Sequence, residues 1–103
     1  MNKQQITSLV NGQQSPSIDV TDRGLQFGDG VFETIRVHQG NPVWWQQHMD
    51  RLLEGCRCLN FSRLPDIEIL RDEADLLLAD CPAGTLKIIV TRGVSNSGYA
   101  APD

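Results

Sequence analysis

Arg51 and His48 are the residues whose types and spacing best suit binding of an anion. They lie three positions apart in a segment with helical periodicity, so both side chains should share one face of that helix. Arginine suits phosphate groups because its planar guanidinium donates two parallel hydrogen bonds. Spacing by itself favours a simpler interpretation, in which Arg51 is an exposed residue that pairs with Asp50, Glu54 or solvent. The pattern therefore permits an anion site without requiring one.

A glycine-rich segment, Asp22 to Gly30, is the second candidate for chemistry. It carries three glycines in the seven positions from Gly24 to Gly30, and closely spaced glycines let backbone N–H groups approach an anion. A strand, and not a helix, is predicted to follow, which excludes a dinucleotide-binding turn. A P-loop is excluded because the segment has no Gly-Lys-Ser/Thr. We therefore predict a structured loop that turns the chain.

The cysteines do not indicate a metal centre or a disulfide framework. Their number is odd, and Cys56 and Cys58 lie two positions apart in the predicted helix. Residues two apart on a helix point about 200° away from each other, so these thiols should lie on opposite sides of it. No further His or Cys is suitably spaced for zinc. We expect buried or inert thiols and no metal.

These residues must be positioned by strands and helices that follow from the hydrophobic periodicity. Asn11-Gly12 predicts a two-residue hairpin turn, and Asp66 is a plausible helix N-cap. We predict an α+β fold, a mainly antiparallel sheet with two helices packed on one face. The predicted strands are 7–10, 17–20, 31–38, 42–44 and 85–91, and the predicted helices run from Trp45 to about Asn60 and from Asp66 to a stop at 81–84.

Composition and charge limit the possible partners. The chain has 103 residues, a formal net charge of −4 and 40% hydrophobic residues. It has no Lys/Arg cluster, whereas nucleic acids and anionic membranes require a concentrated basic surface. Its longest apolar run, 86–90, contains Lys87 and is too short to span a bilayer. We expect one soluble domain in the cytoplasm, with a small-molecule substrate and with neither nucleic acid nor membrane as partner.

Three segments taken together resemble the class IV aminotransferase family, the pyridoxal-phosphate (PLP) enzymes of fold type IV. These segments are Asp22-Arg23-Gly24-Leu25-Gln26-Phe27-Gly28-Asp29-Gly30-Val31-Phe32-Glu33-Thr34, His48-Met49-Asp50-Arg51-Leu52 and Thr91-Arg92-Gly93. They occur in the family's order and at compatible separations, and the resemblance runs from about Val10 to Tyr99. It implies the small amino-terminal lobe of such an enzyme, with PLP as cofactor.

The resemblance also implies roles for individual residues. Arg51 occupies the place of the arginine that binds the cofactor phosphate. Phe32 occupies the place of an aromatic residue beside the active site, often tyrosine in aminotransferases, so it supplies bulk without a hydroxyl. Gly30, Phe32, Ser97 and Tyr99 would form a wall of the substrate site. Several members have an arginine where this chain has Ser97, which puts carboxylate recognition at that point in doubt.

The lysine that the family's chemistry requires is not expected in this chain. PLP enzymes bind the cofactor through a lysine amine, which also moves the substrate's proton. The only lysines here are Lys3, in a ragged amino terminus, and Lys87, which alternates with apolar residues on a strand and should face outward. In the family this lysine would lie beyond Asp103. Residues 1–97 are therefore interpreted as a lobe and 98–103 as the start of an interdomain linker, and the chain alone should be inactive.

Three functions remain open under this resemblance. The ending Gly98-Tyr99-Ala100-Ala101-Pro102 most resembles the family's aminodeoxychorismate lyases, which make 4-aminobenzoate and pyruvate for folate synthesis. The alternative is an aminotransferase of branched-chain or D-amino acids, and Glu33, common among aminotransferases, does not separate the two. A third possibility is a non-catalytic dimerising domain. The family's lobes associate, so a homodimer is expected.

Overall fold

The computed structural model describes residues 7–94, which form a central sheet with helices against one face. Ser97, Tyr99 and the expected linker at 98–103 lie outside the described residues. The strands are β1 (Leu9–Val10), β2 (Gln13–Gln14), β3 (Gly30–His38), β4 (Asn41–Pro42) and β5 (Ala83–Thr91). The helices are α1 (Arg23–Phe27), α2 (Trp45–Cys58) and α3 (Ile67–Leu77).

The larger sheet is antiparallel and has the strand order β4-β3-β5. β3 pairs with β5 along its whole length, from Gly30 opposite Thr91 to His38 opposite Ala83. The start of β3 therefore lies beside the end of β5. This pairing brings the glycine-rich segment next to Thr91-Arg92-Gly93, although the two are far apart in the sequence.

The core lies between this sheet and the two longer helices. β3 alternates as predicted, since Ile35 and Val37 are buried whereas Phe32, Thr34 and Arg36 are exposed. Such alternation is expected where one face of an antiparallel sheet packs on a core and the other does not. The buried cluster comprises Ile35, Val37, Met49, Leu52, Ala74, Leu78 and Leu86. The predicted α+β fold with two helices on one face is confirmed.

The Asn11-Gly12 hairpin forms as predicted, but the strand predicted at 17–20 is wrong. Both turn residues have positive φ, 51° and 79°, as a type I′ turn requires. A two-residue loop pairs the residues that flank it, so Val10 lies opposite Gln13 and β2 begins at once. The turn therefore places the return strand at Gln13–Gln14, despite its polar residues.

The helices differ from prediction mainly at their ends. Asp66 caps α3 by accepting hydrogen bonds from the backbone of Glu68 and Ile69, as predicted. α2 ends at Cys58 and α3 at Leu77, somewhat earlier than expected. No helix within residues 7–94 is long and apolar enough to cross a membrane.

The glycine-rich segment is not a plain loop, because it contains the short helix α1. Asp22 caps this helix, accepting from the Gly24 N–H at 2.8 Å. Gly28 ends it with φ 63°, a left-handed conformation that glycine adopts without strain. Two features of the sequence could have indicated this helix, namely the aspartate at its N-cap, Asp22, and the glycine after its last turn, Gly28.

Candidate active site

An open cleft of ≈ 520 Å³ lies between the first half of β3 and the adjacent face of α2. Gly55 allows the two elements to approach closely, since a Cβ there would lie 2.9 Å from Cγ1 of Val31. The cleft is lined by Gly30, Val31, Phe32, Glu33, Arg51, Glu54, Gly55 and Cys58. Three of the predicted site residues, Gly30, Phe32 and Arg51, thus line one cleft.

Glu33 organises the polar side of this cleft. Its side chain is 7% exposed and receives two basic partners from α2. His48 Nδ1 lies 2.6 Å from Glu33 Oε1, and Arg51 Nε lies 3.6 Å from Oε2. A buried carboxylate is stable only when hydrogen-bonded or paired with positive charge. His48 and Arg51 do share one helix face, as their spacing predicts.

Arg51 is at the mouth of the cleft and not inside it. Its side chain is 77% exposed, and its ion-pair partner is Glu33, not Asp50 or Glu54 as the simpler interpretation proposed. The sequence did carry a signal for this partner. Glu33 shares the core-facing positions of β3 with Val31, Ile35 and Val37, and a carboxylate in such a row needs a basic neighbour.

Phe32 is among the residues that line the cleft, but it alternates with Glu33 along β3, so its side chain leaves the backbone on the other, open face of the sheet. Its relative exposure is 59%, and the Lys87 ammonium lies 4.6 Å from the centre of its ring. A cation over an aromatic face is a favourable contact. The outward position predicted for Lys87 is confirmed. Because this amine lies on the open face, the sheet separates it from the Glu33 side chain.

The first and third sequence motifs contact each other directly. Asp22 Oδ2 accepts from the Thr91 hydroxyl at 3.1 Å, and the Arg23 N–H donates to Gly93 O at 2.8 Å. Packing is so close that a Cβ on Gly24 would lie 2.3 Å from Cγ2 of Thr91. The glycine-rich segment therefore packs against the end of β5 and hydrogen-bonds to it, in addition to turning the chain.

Arg23, Asp29 and Arg92 form a buried ionic group, the Asp29 cluster, which the sequence analysis did not anticipate. Asp29 Oδ2 accepts from Arg23 Nε and from Arg92 Nε, each at 2.9 Å. Burial raises the pKa of the Asp29 carboxyl, but hydrogen bonds from the two guanidinium groups outweigh it and hold the pKa below its usual range. The carboxylate is thus charged at neutral pH.

We expect the Asp29 cluster to make folding sensitive to acid. A carboxyl with a lowered folded-state pKa stabilises the protein above its unfolded-state pKa, about 4 for Asp. That contribution is lost as pH falls through the folded-state value. We therefore expect the free energy of unfolding in urea to differ between wild type and Asp29→Asn at neutral pH, and this difference should become smaller below about pH 4. Asp75→Asn, which removes an exposed ion pair, serves as control. A difference that stays constant across this range would contradict the prediction.

The cysteines lie as their helical spacing indicates. Cys56 is buried, Cys58 is exposed, and burial raises the pKa of the Cys56 thiol. Across residues 7–94, no group of three or more His, Cys, Asp or Glu side chains could hold a metal ion.

Comparison with known proteins agrees with this architecture. A solved structure of 4-amino-4-deoxychorismate lyase from Pseudomonas aeruginosa is 42% identical and has a TM-score of 0.79, over 90% of this chain and 34% of that one. A PLP-bound hypothetical aminotransferase from Mycobacterium tuberculosis is 28% identical with a TM-score of 0.72, over 80% of this chain and 30% of that one. D-alanine aminotransferase from Listeria monocytogenes is 33% identical, over 92% of this chain and 35% of its own length.

The fold matches that of the fold-type IV enzymes, whose solved structures include a PLP-bound aminotransferase. The family profile described as amino-transferase class IV matches residues 30–103. The chain belongs to this class IV aminotransferase family. It spans about a third of the length of the relatives it matches.

Within residues 7–94, the cleft offers a cation for the phosphate of PLP but not a lysine for its covalent attachment. A phosphate needs an accessible cation, and Arg51 offers one beside Gly30 at the mouth of the cleft. A covalently attached cofactor also needs a lysine amine. Lys87 is the only lysine within 7–94, and it lies on the open face of the sheet. The residues present therefore fit a phosphate anchor, without a lysine beside it.

Proposed function

We propose that this chain is the phosphate-binding lobe of a PLP-dependent aminodeoxychorismate lyase, which converts 4-amino-4-deoxychorismate to 4-aminobenzoate and pyruvate in folate synthesis. The observation that carries the proposal is the exposed guanidinium of Arg51, in contact with Glu33 at the mouth of the cleft. Preference for a lyase rests on the 42% identity with the Pseudomonas enzyme. Phe32, which lacks a tyrosine hydroxyl, is compatible with it.

The residues of this chain would bind and orient, not react. Arg51 would hold the cofactor phosphate, while Glu33 limits the rotation of the guanidinium and His48 limits that of Glu33. When bound, PLP supplies an electron sink for the charge that develops beside the substrate nitrogen. Gly30, Phe32, Ser97 and Tyr99 would form one wall of the substrate site. The lysine that moves the proton would come from a second lobe, so this lobe alone would be inactive.

An aminotransferase is the second candidate, and the 33% identity with the Listeria D-alanine aminotransferase favours it. Both reactions would use the same cofactor and the same phosphate anchor. They differ in whether the substrate loses pyruvate or exchanges its amino group, which the described residues do not determine. A cytoplasmic homodimer belongs to either proposal. The non-catalytic dimerising domain would apply if no lysine-bearing lobe joins this chain.

The decisive assay uses the intact enzyme, in which this chain is joined to the lysine-bearing lobe. We expect 4-aminobenzoate to form from 4-amino-4-deoxychorismate, with little amino-group transfer from D-alanine to 2-oxoglutarate. Transfer without the aromatic product would identify an aminotransferase. A protein that binds PLP but shows neither activity, and that also transfers no amino group from branched-chain amino acids, would overturn both enzymatic proposals.

A separate titration tests the inactivity of the chain by itself. We expect added PLP to give no absorbance change characteristic of covalent attachment to a lysine. Such a change would contradict the proposal. Lys87→Gln would then show which amine reacts. Loss of the absorbance change would identify Lys87, whereas an absorbance change that persists would come from another amine, with Lys3 the remaining lysine.

A further inference from the structure

One face of the β3–β5 pair is not covered by the helices, and its side chains are basic, apolar or neutral polar. Phe32 and Ile89 are direct partners in the strand register and are 59% and 60% exposed. Directly opposite residues of two strands share a face of the sheet, and so do residues two apart on one strand. The exposed side chains of this open face are therefore Phe32, Thr34, Arg36, His38, Thr85, Lys87 and Ile89.

The strand side chains of the open face include no acidic residue. Arg36 and Lys87 lie on it, although the chain as a whole has a formal net charge of −4. Among the described residues, neither of these cations forms an ion pair with a carboxylate. Asp22 contacts Thr91 at the end of this face, but its two oxygens accept hydrogen bonds from the Gly24 N–H and the Thr91 hydroxyl. Thr91 also lies about 13 Å along the strand from Lys87. The positive charge near Lys87 is thus available to an anion.

Lys87 is the cation that lies beside the candidate site. Its ammonium is 4.6 Å from the centre of the Phe32 ring. Phe32 also lines the cleft that has Arg51 at its mouth. A cation–π contact at an exposed site contributes little energy, but it restricts the positions that the flexible lysine side chain takes. Phe32 therefore connects the cleft with a cation on the open face.

Apolar side chains beside a cation suit a ligand that joins a flat ring to a carboxylate. An unsaturated ring can pack against Phe32 and Ile89, while a carboxylate on that ring can accept hydrogen bonds from the Lys87 ammonium. Exposed apolar groups that adjoin one another often form part of a binding surface. The substrate of the proposed lyase, 4-amino-4-deoxychorismate, and its product 4-aminobenzoate each carry a carboxylate on an unsaturated ring.

We propose that Lys87 is a substrate-binding residue, and that its ammonium binds the carboxylate on the ring of the substrate and of the aromatic product. Phe32 restricts the position of the ammonium and packs against the ring. The inference rests on the proposed function, because that function supplies a ring with a carboxylate. It gives Lys87 a role in binding and none in the covalent attachment of PLP.

The first test compares the binding of 4-aminobenzoate with that of its uncharged analogue 4-aminobenzamide, using the intact enzyme loaded with PLP. In Lys87→Gln we expect the affinity for 4-aminobenzoate to fall about tenfold, as for loss of a charge-assisted hydrogen bond. The affinity for 4-aminobenzamide should stay at its wild-type value, because the amide carries no charge. Titration calorimetry measures both dissociation constants and requires no turnover.

The second test is steady-state kinetics of Lys87→Gln with 4-amino-4-deoxychorismate. We expect KM to rise about tenfold and kcat to change little, because an ion pair that is equally strong in the ground and transition states contributes to KM alone. The PLP dissociation constant should stay at its wild-type value, since the proposed phosphate anchor is Arg51. An unchanged PLP affinity also verifies that substitution of this exposed lysine leaves the fold intact.

Two further variants serve as controls. Lys87→Arg keeps the positive charge and the ability to donate to a carboxylate, so its affinity for 4-aminobenzoate should lie within about threefold of wild type. Arg57→Gln removes an exposed cation from α2, which packs against the other face of the sheet, and it should leave the affinity unchanged. A loss in Arg57→Gln equal to that in Lys87→Gln would mean that general positive charge attracts the ligand, which would contradict the proposal.

Wild-type affinity for 4-aminobenzoate in Lys87→Gln would overturn the assignment of Lys87. An equal loss of affinity for 4-aminobenzamide would also overturn it, because a merely structural role affects both ligands alike, and so would a failure of Lys87→Arg to recover affinity. Failure of the proposed function is distinguishable from these results. In that case the wild-type enzyme would form no 4-aminobenzoate, whereas failure of this inference alone leaves wild-type turnover intact.

Discussion

Arg51→Gln in the intact enzyme is expected to weaken PLP binding by about 10- to 100-fold. The variant loses hydrogen bonds between a charged donor and the phosphate, worth about 1.5–3 kcal/mol. Glutamine keeps much of the length of the side chain and its helix propensity, so α2 should be unaffected. The affinity is measured by titrating apo-enzyme with PLP and following absorbance, and pyridoxal without the phosphate should bind both proteins equally.

Arg57→Gln is the matched control for Arg51. Arg57 lies on the same helix, is also exposed and forms a comparable ion pair with Glu54 at 3.7 Å, but it does not line the cleft. We expect wild-type affinity in this variant. Equal losses in Arg51→Gln and Arg57→Gln would mean that general positive charge, and not a specific anchor, attracts the cofactor.

Gly30→Ala is expected to destabilise the fold by about 1–3 kcal/mol, the usual cost of overpacking. A Cβ at this position would lie 2.7 Å from the backbone oxygen of Val90 and 3.2 Å from Cα of Thr91. Both are backbone atoms of β5, so relief requires the two strands to separate where the cleft begins. Urea unfolding of the chain measures the change in free energy of unfolding.

Gly84→Ala provides the comparison, because Gly84 is also a strand glycine beside β3. The nearest atom to its added Cβ is the Cys81 sulfur at 3.2 Å, at the end of a side chain that can rotate. We expect a change within about 0.5 kcal/mol. If Gly30→Ala were equally mild, the close approach of β3 and β5 would not constrain this end of the sheet.

The parts of the fold that depend on neighbours in sequence were predictable. Alternation along β3 identified its buried and exposed faces, and the Asp66 cap identified the start of α3. Three motifs identified the family and pointed to Arg51. The strand faces and the helix start follow from local periodicity, capping chemistry and residue type, which one segment determines by itself. The family and the interest in Arg51 came instead from the resemblance of three segments taken together.

The wrong secondary-structure predictions fall where the local sequence favours one structure and the tertiary contacts favour another. The polar pair Gln13–Gln14 does not resemble a strand, yet the two-residue turn before it requires pairing at that point. The apolar residues Ile18 and Val20, which suggested the strand, are exposed. Helix α1 was missed because its five residues are too few for a hydrophobic period to be recognised.

By itself, the sequence determined the class of fold, the two long helices, the outward position of Lys87 and the family to which the chain belongs. Only the tertiary structure decided that Glu33 contacts Arg51 and His48, and that one carboxylate, Asp29, joins Arg23 to Arg92. The reason is physical. Periodicity indicates which face of an element a side chain occupies. The contact between Asp29 and Arg92, 63 residues apart, depends instead on the register of the strands. Once these charged groups are buried, they require each other as partners.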